Sequence, residues 1–509
     1  MNPVSTASDA RWTRCTTILL ASLFVGRVGL LAISPLELVA DEAYYWDWGR
    51  RPDWGYYSKP PLIAWLYAAI RMLGADSAFA LRLPAVVLGT VTLVALGTLA
   101  RNLGGPRVGF FTVLLLAATP GNVALNLLLT IDAPLTAMWA LALLAAWRWL
   151  GPTGHGGWGV VYAGAVAVGV LAKQMMLVFP LLTALWLASD RERRHHLRAA
   201  GVWAGLLLPV MALLPTIWWN EAHGWITAKH TAHHFAAQSE FSVGGAIGRV
   251  IGFVLVQMVL ISPPVAWAWG RSAWGILRGW THSVREGDRF LWCFCAPPLI
   301  AITPLAFVRL PEPNWPATFW LAGAVLAARA LVSATGPSLR NSLRVGIGLA
   351  IFVTALPFIA NLPAISGGKL DPTVRLKGWR SVATEIDQLR TEHADAETRP
   401  WPLIVGNRAY ASALAFYLPD QPRVYHRPHR GSVQSQYQVW PDPAADGRIG
   451  TDAIIVLVRD DTLPHELIAC FSDTRKVADF DIELGNGGHR TGTVWIGRDL
   501  QFWPTTPDT

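Results

Sequence analysis

Residues 38–62 read LVADEAYYWDWGRRPDWGYYSKPPL, and the interpretation of the whole chain depends on this stretch. It follows an apolar run, residues 15–37, that is long enough to cross a lipid bilayer. Adjacent carboxylates, Asp41 and Glu42, open the stretch, and Lys59 closes it just before two prolines. The aromatic residues between them are Tyr44, Tyr45, Trp46, Trp48, Trp54, Tyr56 and Tyr57. The sequence thus places acids, a cation and aromatic rings together at a predicted membrane boundary.

The composition is that of a polytopic membrane protein. Of the 509 residues, 52% are hydrophobic and only 15% are charged. The net charge of +8 comes largely from arginines in short loops between apolar runs, which membrane topology explains and which argues against a nucleic-acid partner. Four scattered cysteines are too few for a disulfide framework or a zinc site.

Apolar runs of spanning length predict about eleven transmembrane helices. Two of these runs, 159–172 and 174–189, are short for a full crossing and can form a tight or partly re-entrant hairpin. The eleven runs are 15–37, 80–100, 108–125, 132–150, 159–172, 174–189, 200–219, 244–268, 289–308, 316–334 and 345–364.

The C-terminal part has a different pattern. From residue 365 the apolar spans stop, and strand-like runs at 402–406 and 453–458 alternate with polar segments compatible with helices. We therefore predict a transmembrane domain over residues 1–364, with a first outer loop at 38–80, and a soluble α/β domain over residues 365–509.

The arginines predict the orientation of the chain. With eleven spans, the arginine-containing loops all fall on one side of the membrane, which the positive-inside rule makes cytoplasmic. The first outer loop, the region of Lys173 and the C-terminal domain then lie on the other side, which is the periplasmic side of a bacterial inner membrane. The arginines concerned are Arg11, Arg14, Arg101, Arg107, Arg191, Arg193, Arg194, Arg198, Arg271, Arg278, Arg285, Arg289, Arg340 and Arg344.

The charged residues of the first outer loop are candidates for chemistry. A carboxylate that is partly desolvated among aromatics can act as a general base. Adjacent helical residues point in different directions, so we assign this role to Asp41 and an orienting role to Glu42; the alternative is that the pair simply marks a solvated helix end. Lys59 is a candidate phosphate ligand, although a lysine at this depth can also merely extend to the interface.

The aromatic residues of the stretch have two explanations. Trp and Tyr favour the depth of lipid headgroups, so the rings can form an interfacial belt. Sugars also stack on aromatic faces, and we include Tyr56 and Tyr57 as candidate substrate contacts.

Further polar residues are predicted on the same face. Asp132 begins the fourth span, as a helix cap or as a second acid, and Lys173 is a cation in an apolar setting, which favours a functional role. A short proline-stiffened loop, residues 309–317, can present polar groups with little loss of entropy. The candidate substrate-binding residues outside the first loop are Asp132, Lys173, Arg309, Glu312, Asn314 and Trp315.

A metal site is conceivable in the histidine-rich segment 220–240. His230 and His234 are spaced to share one face of a helix, and His223 and His233 lie nearby. No acidic or cysteine partner has a recognisable metalloenzyme spacing. The sequence thus requires no cofactor and indicates no metal, although a divalent metal stays possible.

Taken together, the motifs resemble those of bacterial GT-C glycosyltransferases. The resemblance is to the group related to protein O-mannosyltransferases and the lipid A aminoarabinose transferase, and it covers most of the membrane part. It is strongest in the first outer loop. The motifs are DEAYYWDW (41–48), GYYSKPPLIAWL (55–66), TIDAPLTAMWAL (130–141), GVLAKQMMLVFPL (169–181), LPEPNWPA (310–317) and NRAYASALAFYLP (407–419).

The resemblance implies a site and a reaction. It implies that Asp41 is the catalytic acid residue of the first loop, that Lys59 binds the donor phosphate, and that an outer cavity receives a polyprenyl-phosphate sugar. The acceptor is an envelope lipid, glycan or protein. One departure matters: the aminoarabinose transferase pattern has a metal-associated glutamate just before this lysine, and this chain has Ser58. A transporter or flippase of lipid-linked sugars is the alternative function, since it would share the spans and the intramembrane cations.

Overall fold

The computed structural model describes residues 3–233, 242–279, 285–334, 337–393, 401–428, 433–458 and 462–504. The chain divides into two compact units, each built from separate stretches of sequence. The first comprises Met1–Ile33, Phe79–Pro215 and Ala232–Ala355. The second comprises Ser34–Ala78, Thr216–Thr231 and Leu356–Thr509.

Helices dominate the structure, and they are numbered here in chain order. They are α1 Pro3–Ile33, α2 Ala40–Gly49, α3 Leu62–Met72, α4 Ala78–Gly104, α5 Pro106–Ala117, α6 Pro120–Leu125, α7 Asp132–Leu150, α8 Gly157–Ala172, α9 Val178–Ser189, α10 Ala200–Leu207, α11 Leu214–Ala222, α12 Ile226–His233, α13 Val243–Ile261, α14 Pro263–Gly279, α15 Glu286–Cys293, α16 Ala296–Ile302, α17 Leu305–Val308, α18 Ala317–Ser333, α19 Ser338–Ile359, α20 Trp379–His393, α21 Arg408–Tyr417 and α22 His465–Ile468.

The helices confirm a polytopic α-helical membrane fold. Among the described residues, seven helical segments are long and apolar enough to cross a membrane, and each coincides with a predicted span. Four shorter apolar helices coincide with the remaining predicted spans, and a fifth is α3, which lies in the first outer loop. The seven are Ala7–Ile33, Ala78–Gly104, Asp132–Leu150, Ala200–Ala222, Val243–Leu260, Glu286–Val308 and Ser338–Ile359.

The predicted span at 244–268 differs from the structure. The apolar run is divided into α13 and α14 at Ser262, whose φ of 69° lies in the left-handed region. Pro263 and Pro264 follow directly, and a proline disfavours helical geometry at the residue before it. The hydropathy of the run is continuous, so only the proline pair indicates this break.

In the first unit, polar contacts mark the two ends of α9. Lys173, just before this helix, forms an ion pair with Asp132 at 2.9 Å. Arg193, just beyond its other end, forms an ion pair with Glu286 at 2.5 Å. Residues predicted on the same side of the membrane therefore contact one another at each end of the helix.

The second unit contains a five-stranded mixed sheet in the order β2-β1-β3-β5-β4. The strand β1 pairs in parallel with β2 and β3, whereas β5 pairs antiparallel with β3 and β4. The sheet, together with α20 and α21, confirms a C-terminal α/β fold, and the strands predicted at 402–406 and 453–458 are β1 and β3. The strands are β1 Leu403–Val405, β2 Val424–His426, β3 Ala453–Val458, β4 Phe471–Gly485 and β5 Gly488–Leu500. The predicted boundary at residue 364, between a transmembrane domain and a soluble domain, stays a prediction.

Candidate active site

Asp41 lies in the first turn of α2, in the second unit, with an arginine beside it. Arg408, the first residue of α21, places its Nη2 atom 3.2 Å from Oδ1 of Asp41. The two side chains stay accessible, with exposed fractions of 51% for Asp41 and 43% for Arg408. The carboxylate is thus held in place at a surface that a substrate can reach.

Arg408 is not among the site residues predicted from the sequence. Its guanidinium also lies over the ring of Tyr44, 4.8 Å from the ring centroid. Burial lowers the pKa of Arg408, but the charges of Asp41 and of the neighbouring tyrosines outweigh this effect and raise it. The side chain therefore stays cationic. The available signal was its place in the motif NRAYASALAFYLP, where it was not singled out.

Glu42 points away from Asp41 and is fully buried. Its Oε2 atom accepts a hydrogen bond from the backbone N–H of Val39 at 3.1 Å, at the start of α2. This contact fixes the turn that presents Asp41 and is compatible with the predicted orienting role.

Most of the aromatic rings in the stretch are packed inside the second unit. Trp48 and Tyr56 are fully buried and stack face to face, with centroids 4.3 Å apart. Tyr44 is buried as well, whereas Trp54 is exposed. Tyr56 therefore has a packing role in the structure. Its contact with substrate stays a prediction, and the burial of its ring does not support it.

Tyr57 is half-buried and joins three parts of the second unit. Its backbone N–H donates to Oε1 of Gln436 at 2.6 Å, and its hydroxyl lies 3.0 Å from Nδ1 of His230. The backbone N–H of Gln436 in turn donates to the hydroxyl of Tyr44 at 2.5 Å. Gln436, which the sequence did not indicate, thus connects the two tyrosines on either side of the loop.

Lys59 lies half-buried at the end of the loop, directly before Pro60 and Pro61. Its backbone carbonyl accepts a hydrogen bond from the N–H of Tyr56 at 3.2 Å, which closes a tight turn. The prolines then lead directly into α3. A short, stiff segment therefore fixes the backbone from which the Lys59 side chain extends.

In the first unit, three of the predicted residues come together. Asp132, the first residue of α7, accepts a hydrogen bond from Nζ of Lys173 at 2.9 Å and one from Nδ2 of Asn314 at 2.5 Å. Asp132 and Lys173 are buried, whereas Asn314 is exposed. Lys173 caps the end of α8 in an extended conformation, which directs the chain into the next short helical turn.

The other residues of the 309–317 loop have different environments. Arg309 is buried and donates from Nη1 to the carbonyl of His233 at 3.0 Å. Glu312 is exposed and Trp315 is half-buried. Arg309 therefore contacts a residue outside the Asp132 cluster, whereas Asn314 from the same loop belongs to the cluster.

An apolar cavity of about 180 Å³ lies beside Asn314 within the first unit. Leu260, Trp269 and Leu321 contribute to its apolar wall, and Gln257 and Asn314 supply polar groups. Its character suits a hydrocarbon chain with a polar end.

The histidines of the conceivable metal site include His223, His230 and His233, which the structure describes. In the part of the chain that the structure describes, no group of three or more His, Cys, Asp or Glu side chains is arranged to hold a metal ion. Nδ1 of His223 lies 2.7 Å from the carbonyl of Trp219, and His230 contacts Tyr57. His234 lies outside the described residues.

Comparison with known proteins identifies relatives of this chain. Residues 58–219 match the family described as dolichyl-phosphate-mannose-protein mannosyltransferase. The lipid A galacturonosyltransferase RgtD of Rhizobium johnstonii is 28% identical over 417 residues, which cover 81% of this chain and 84% of that protein. Both names are those of glycosyltransferases, so the alternative function of a transporter or flippase is not favoured.

The fold is that of a solved membrane protein. The crystal structure of ArnT from Cupriavidus metallidurans in the apo state superposes with a TM-score of 0.62 at 16% identity, covering 94% of this chain and 97% of that one. The structure of the same protein bound to undecaprenyl phosphate gives a TM-score of 0.60 at 18% identity, with the same coverage. These findings confirm the resemblance drawn from the motifs, which is to GT-C glycosyltransferases related to the protein O-mannosyltransferases.

Proposed function

We propose that the protein transfers a sugar from a polyprenyl-phosphate donor to a hydroxyl of an envelope lipid, on the periplasmic face of a bacterial inner membrane. The observation that carries this proposal is the accessible Asp41 carboxylate, which Arg408 holds at 3.2 Å in the first outer loop. A fixed, accessible carboxylate is the group required to accept a proton from an attacking hydroxyl.

The proposed reaction is a single displacement at the anomeric carbon. The acceptor oxygen forms a bond to that carbon as the bond between the carbon and the phosphate oxygen breaks. Asp41 takes the hydroxyl proton, and the electron pair of the broken bond leaves with the polyprenyl phosphate. The ammonium group of Lys59 stabilises the negative charge that develops on this phosphate. Atoms and charge balance without a metal ion.

The Asp132 cluster has a supporting role in this proposal. Because Lys173 is paired with Asp132, its charge is already compensated within the first unit. The cluster joins the start of α7, the end of α8 and Asn314, and Asn314 lines the apolar cavity. We assign Asp132 and Lys173 to holding this cavity in shape and Asn314 to contacting a lipid substrate. Arg309, Glu312 and Trp315 stay candidates for substrate binding.

The sequence relative supports a specific acceptor and sugar for this proposal. RgtD of Rhizobium johnstonii is a lipid A galacturonosyltransferase by name, and it aligns with most of this chain. We therefore propose lipid A as the acceptor and galacturonic acid as the first sugar to test. The fold match to ArnT bound to undecaprenyl phosphate supports undecaprenyl phosphate as the lipid carrier.

Transfer can be measured with membranes that contain the full chain, a polyprenyl-phosphate galacturonate donor and lipid A, followed by mass spectrometry of the lipid. Asp41→Asn keeps the shape of the side chain but removes the base, so we expect a loss of about 100-fold or more in kcat. Lys59→Ala should also reduce transfer strongly. Asp473→Asn and Lys369→Ala change exposed residues of the second unit and serve as matched controls.

Full transfer by both Asp41→Asn and Lys59→Ala would refute the assigned site. If the parent protein modifies no lipid A with this donor, the assay is repeated with a polyprenyl-phosphate pentose donor and with a protein acceptor. Transfer to either of these identifies a different substrate for the same site.

A further inference from the structure

A second cavity, of about 330 Å³, lies in the first unit between α14, the start of α15 and the end of α18. Ser272 and Gly275 line it from α14, Arg285 and Asp288 from the start of α15, and Arg329 from α18. Glu286, which adjoins the cavity, forms an ion pair with Arg193. The cavity therefore lies at the end of the unit that is predicted to be cytoplasmic. The proposed reaction uses none of these residues.

The cavity carries an excess of positive charge. Arg329 is nine-tenths buried, and its Nη1 atom donates to Asp288. Arg285 lies close enough for its charge to act on the same guanidinium. The cavity is therefore lined by two arginines and one carboxylate, and a buried arginine has five N–H donors to satisfy. An anion with several oxygens, placed between the arginines, would neutralise the remaining positive charge and accept hydrogen bonds from both guanidinium groups.

The surroundings of the cavity favour a membrane lipid as the source of this anion. Trp274 and Leu277, on the same helix as Gly275, are 56% and 50% exposed. Tryptophan at a helix end is typical of headgroup depth, and basic pockets between spanning helices bind anionic headgroups. We propose that the cavity binds the phosphate of an anionic phospholipid headgroup, with the acyl chains lying against the exposed apolar residues of α14.

The proposal predicts that an anionic lipid stabilises the purified protein. The full chain in detergent is titrated with dioleoyl-phosphatidylglycerol, and the unfolding temperature and the bound lipid are followed by thermal melting and native mass spectrometry. Dioleoyl-phosphatidylcholine and inorganic phosphate are titrated in parallel. We expect saturable binding and stabilisation with phosphatidylglycerol, and much weaker effects of the other two probes.

Three variants test the cavity, and the first two leave the ion pair of Arg329 with Asp288 intact. A side chain at Gly275 meets no atom within 4 Å at its Cβ position, so Gly275→Leu should fill the cavity without strain and abolish saturable binding. Arg285→Gln should weaken binding about fivefold, the loss expected for one basic residue at a membrane surface. Asp288→Asn removes the competing carboxylate and should strengthen binding.

Two controls match these changes. Gly252 on α13 is equally open and lines neither cavity described here, so Gly252→Leu should bind lipid as the parent does. Arg340→Gln removes an exposed arginine at the start of α19 that does not line the cavity. Phosphatidylglycerol binding that is unchanged in both Gly275→Leu and Arg285→Gln would overturn the proposal. Equal stabilisation by inorganic phosphate would identify a site for soluble phosphate and would overturn the assignment to a lipid.

Discussion

At the scale of single residues, the pairing of Asp41 with Arg408 makes a specific prediction. Arg408→Gln should lower kcat about tenfold with little change in KM for the donor, because an unrestrained carboxylate is less often in position to take the proton. The pair is roughly half exposed, so its loss should change the free energy of unfolding by less than about 1 kcal/mol. Steady-state kinetics and thermal melting of the same samples separate the two effects.

A matched control for Arg408 lies in the same unit. Arg380 stacks over the ring of Tyr417 at 5.0 Å, as Arg408 does over Tyr44, but it forms no ion pair with Asp41. Arg380→Gln should leave kcat unchanged. If the Arg408→Gln variant loses activity only because less of it is folded, as its melting temperature would show, Arg408 acts only on stability.

Single residues also show what the sequence can predict. Asp132, Lys173 and Asn314 could each be selected from their setting, as ionisable or polar groups at predicted helix ends. Their mutual contacts could not be predicted, because 182 positions separate Asp132 from Asn314 and only folding joins them. Arg408 lies 367 positions from Asp41, and its place in the motif NRAYASALAFYLP does not indicate which residue it contacts.

At the scale of helices, the side chain of Asn126 approaches α4 so closely that it leaves no room for a side chain at Gly89. A Cβ atom at Gly89 would lie 1.4 Å from Oδ1 of Asn126. This same oxygen accepts a hydrogen bond of 2.7 Å from Arg27, a buried charge in a spanning helix. Alanine normally stabilises a helix relative to glycine by about 1 kcal/mol, but here the clash should reverse the sign and destabilise the protein by about 1–3 kcal/mol.

The measurement for Gly89→Ala is thermal unfolding of the purified full chain. Gly252→Ala on α13 is the control, because its Cβ position is open and no such clash arises. We expect a lower melting temperature for the first variant and an equal or higher one for the second. A rise with Gly89→Ala would contradict the packing described for Asn126.

The connection between α19 and α20 contains an acid-sensitive contact. Burial alone would raise the pKa of Asp371, but hydrogen bonds from Lys377, Gly367 and Thr373 outweigh it and lower the pKa to about 2. A folded-state pKa below the ordinary value stabilises the protein above about pH 4, and this contribution is lost as the pH falls toward 2. Asp371→Asn should therefore lower the melting temperature at neutral pH.

The pH dependence distinguishes this effect from a general defect. The difference in melting temperature between Asp371→Asn and the parent should shrink between about pH 4 and pH 2, because the parent carboxylate becomes protonated there. The control Asp473→Asn removes an exposed carboxylate and should show no such change. A difference that stays constant over this range would exclude the proposed ionic contribution.

Secondary structure is predictable from the sequence where hydropathy or alternation is strong. The prediction is wrong where backbone geometry determines where a helix ends. The strand β3 is an unbroken apolar run and was predicted at its exact bounds. The break at Ser262 lies inside an equally apolar run, and hydropathy does not respond to the missing N–H groups of Pro263 and Pro264. Span prediction by composition therefore merged two helices into one.

At the scale of the whole molecule, the ion pair of Arg193 with Glu286 restricts the topology. Two residues in contact lie at the same side of a membrane, so the chain between them crosses it an even number of times. Three long helical stretches lie in this interval: Ala200–Ala222 and Val243–Leu260, which are long and apolar enough to cross, and α14. They cannot all cross. The predicted alternation of sides, which counts two crossings here, agrees with this restriction.

Cysteine labelling tests this topology together with the proposed orientation. Cys293, Cys295 and Cys470 are buried, so replacing Cys15 leaves a background without an accessible thiol among the described residues. Single cysteines are then placed at the exposed positions Arg191, Arg278 and Lys369. We expect a membrane-impermeant maleimide to label Lys369→Cys in intact spheroplasts, and to label Arg191→Cys and Arg278→Cys only after permeabilisation. Labelling of Arg278→Cys from outside, with Arg191→Cys protected, would mean an odd number of crossings between them and would contradict the contact of Arg193 with Glu286.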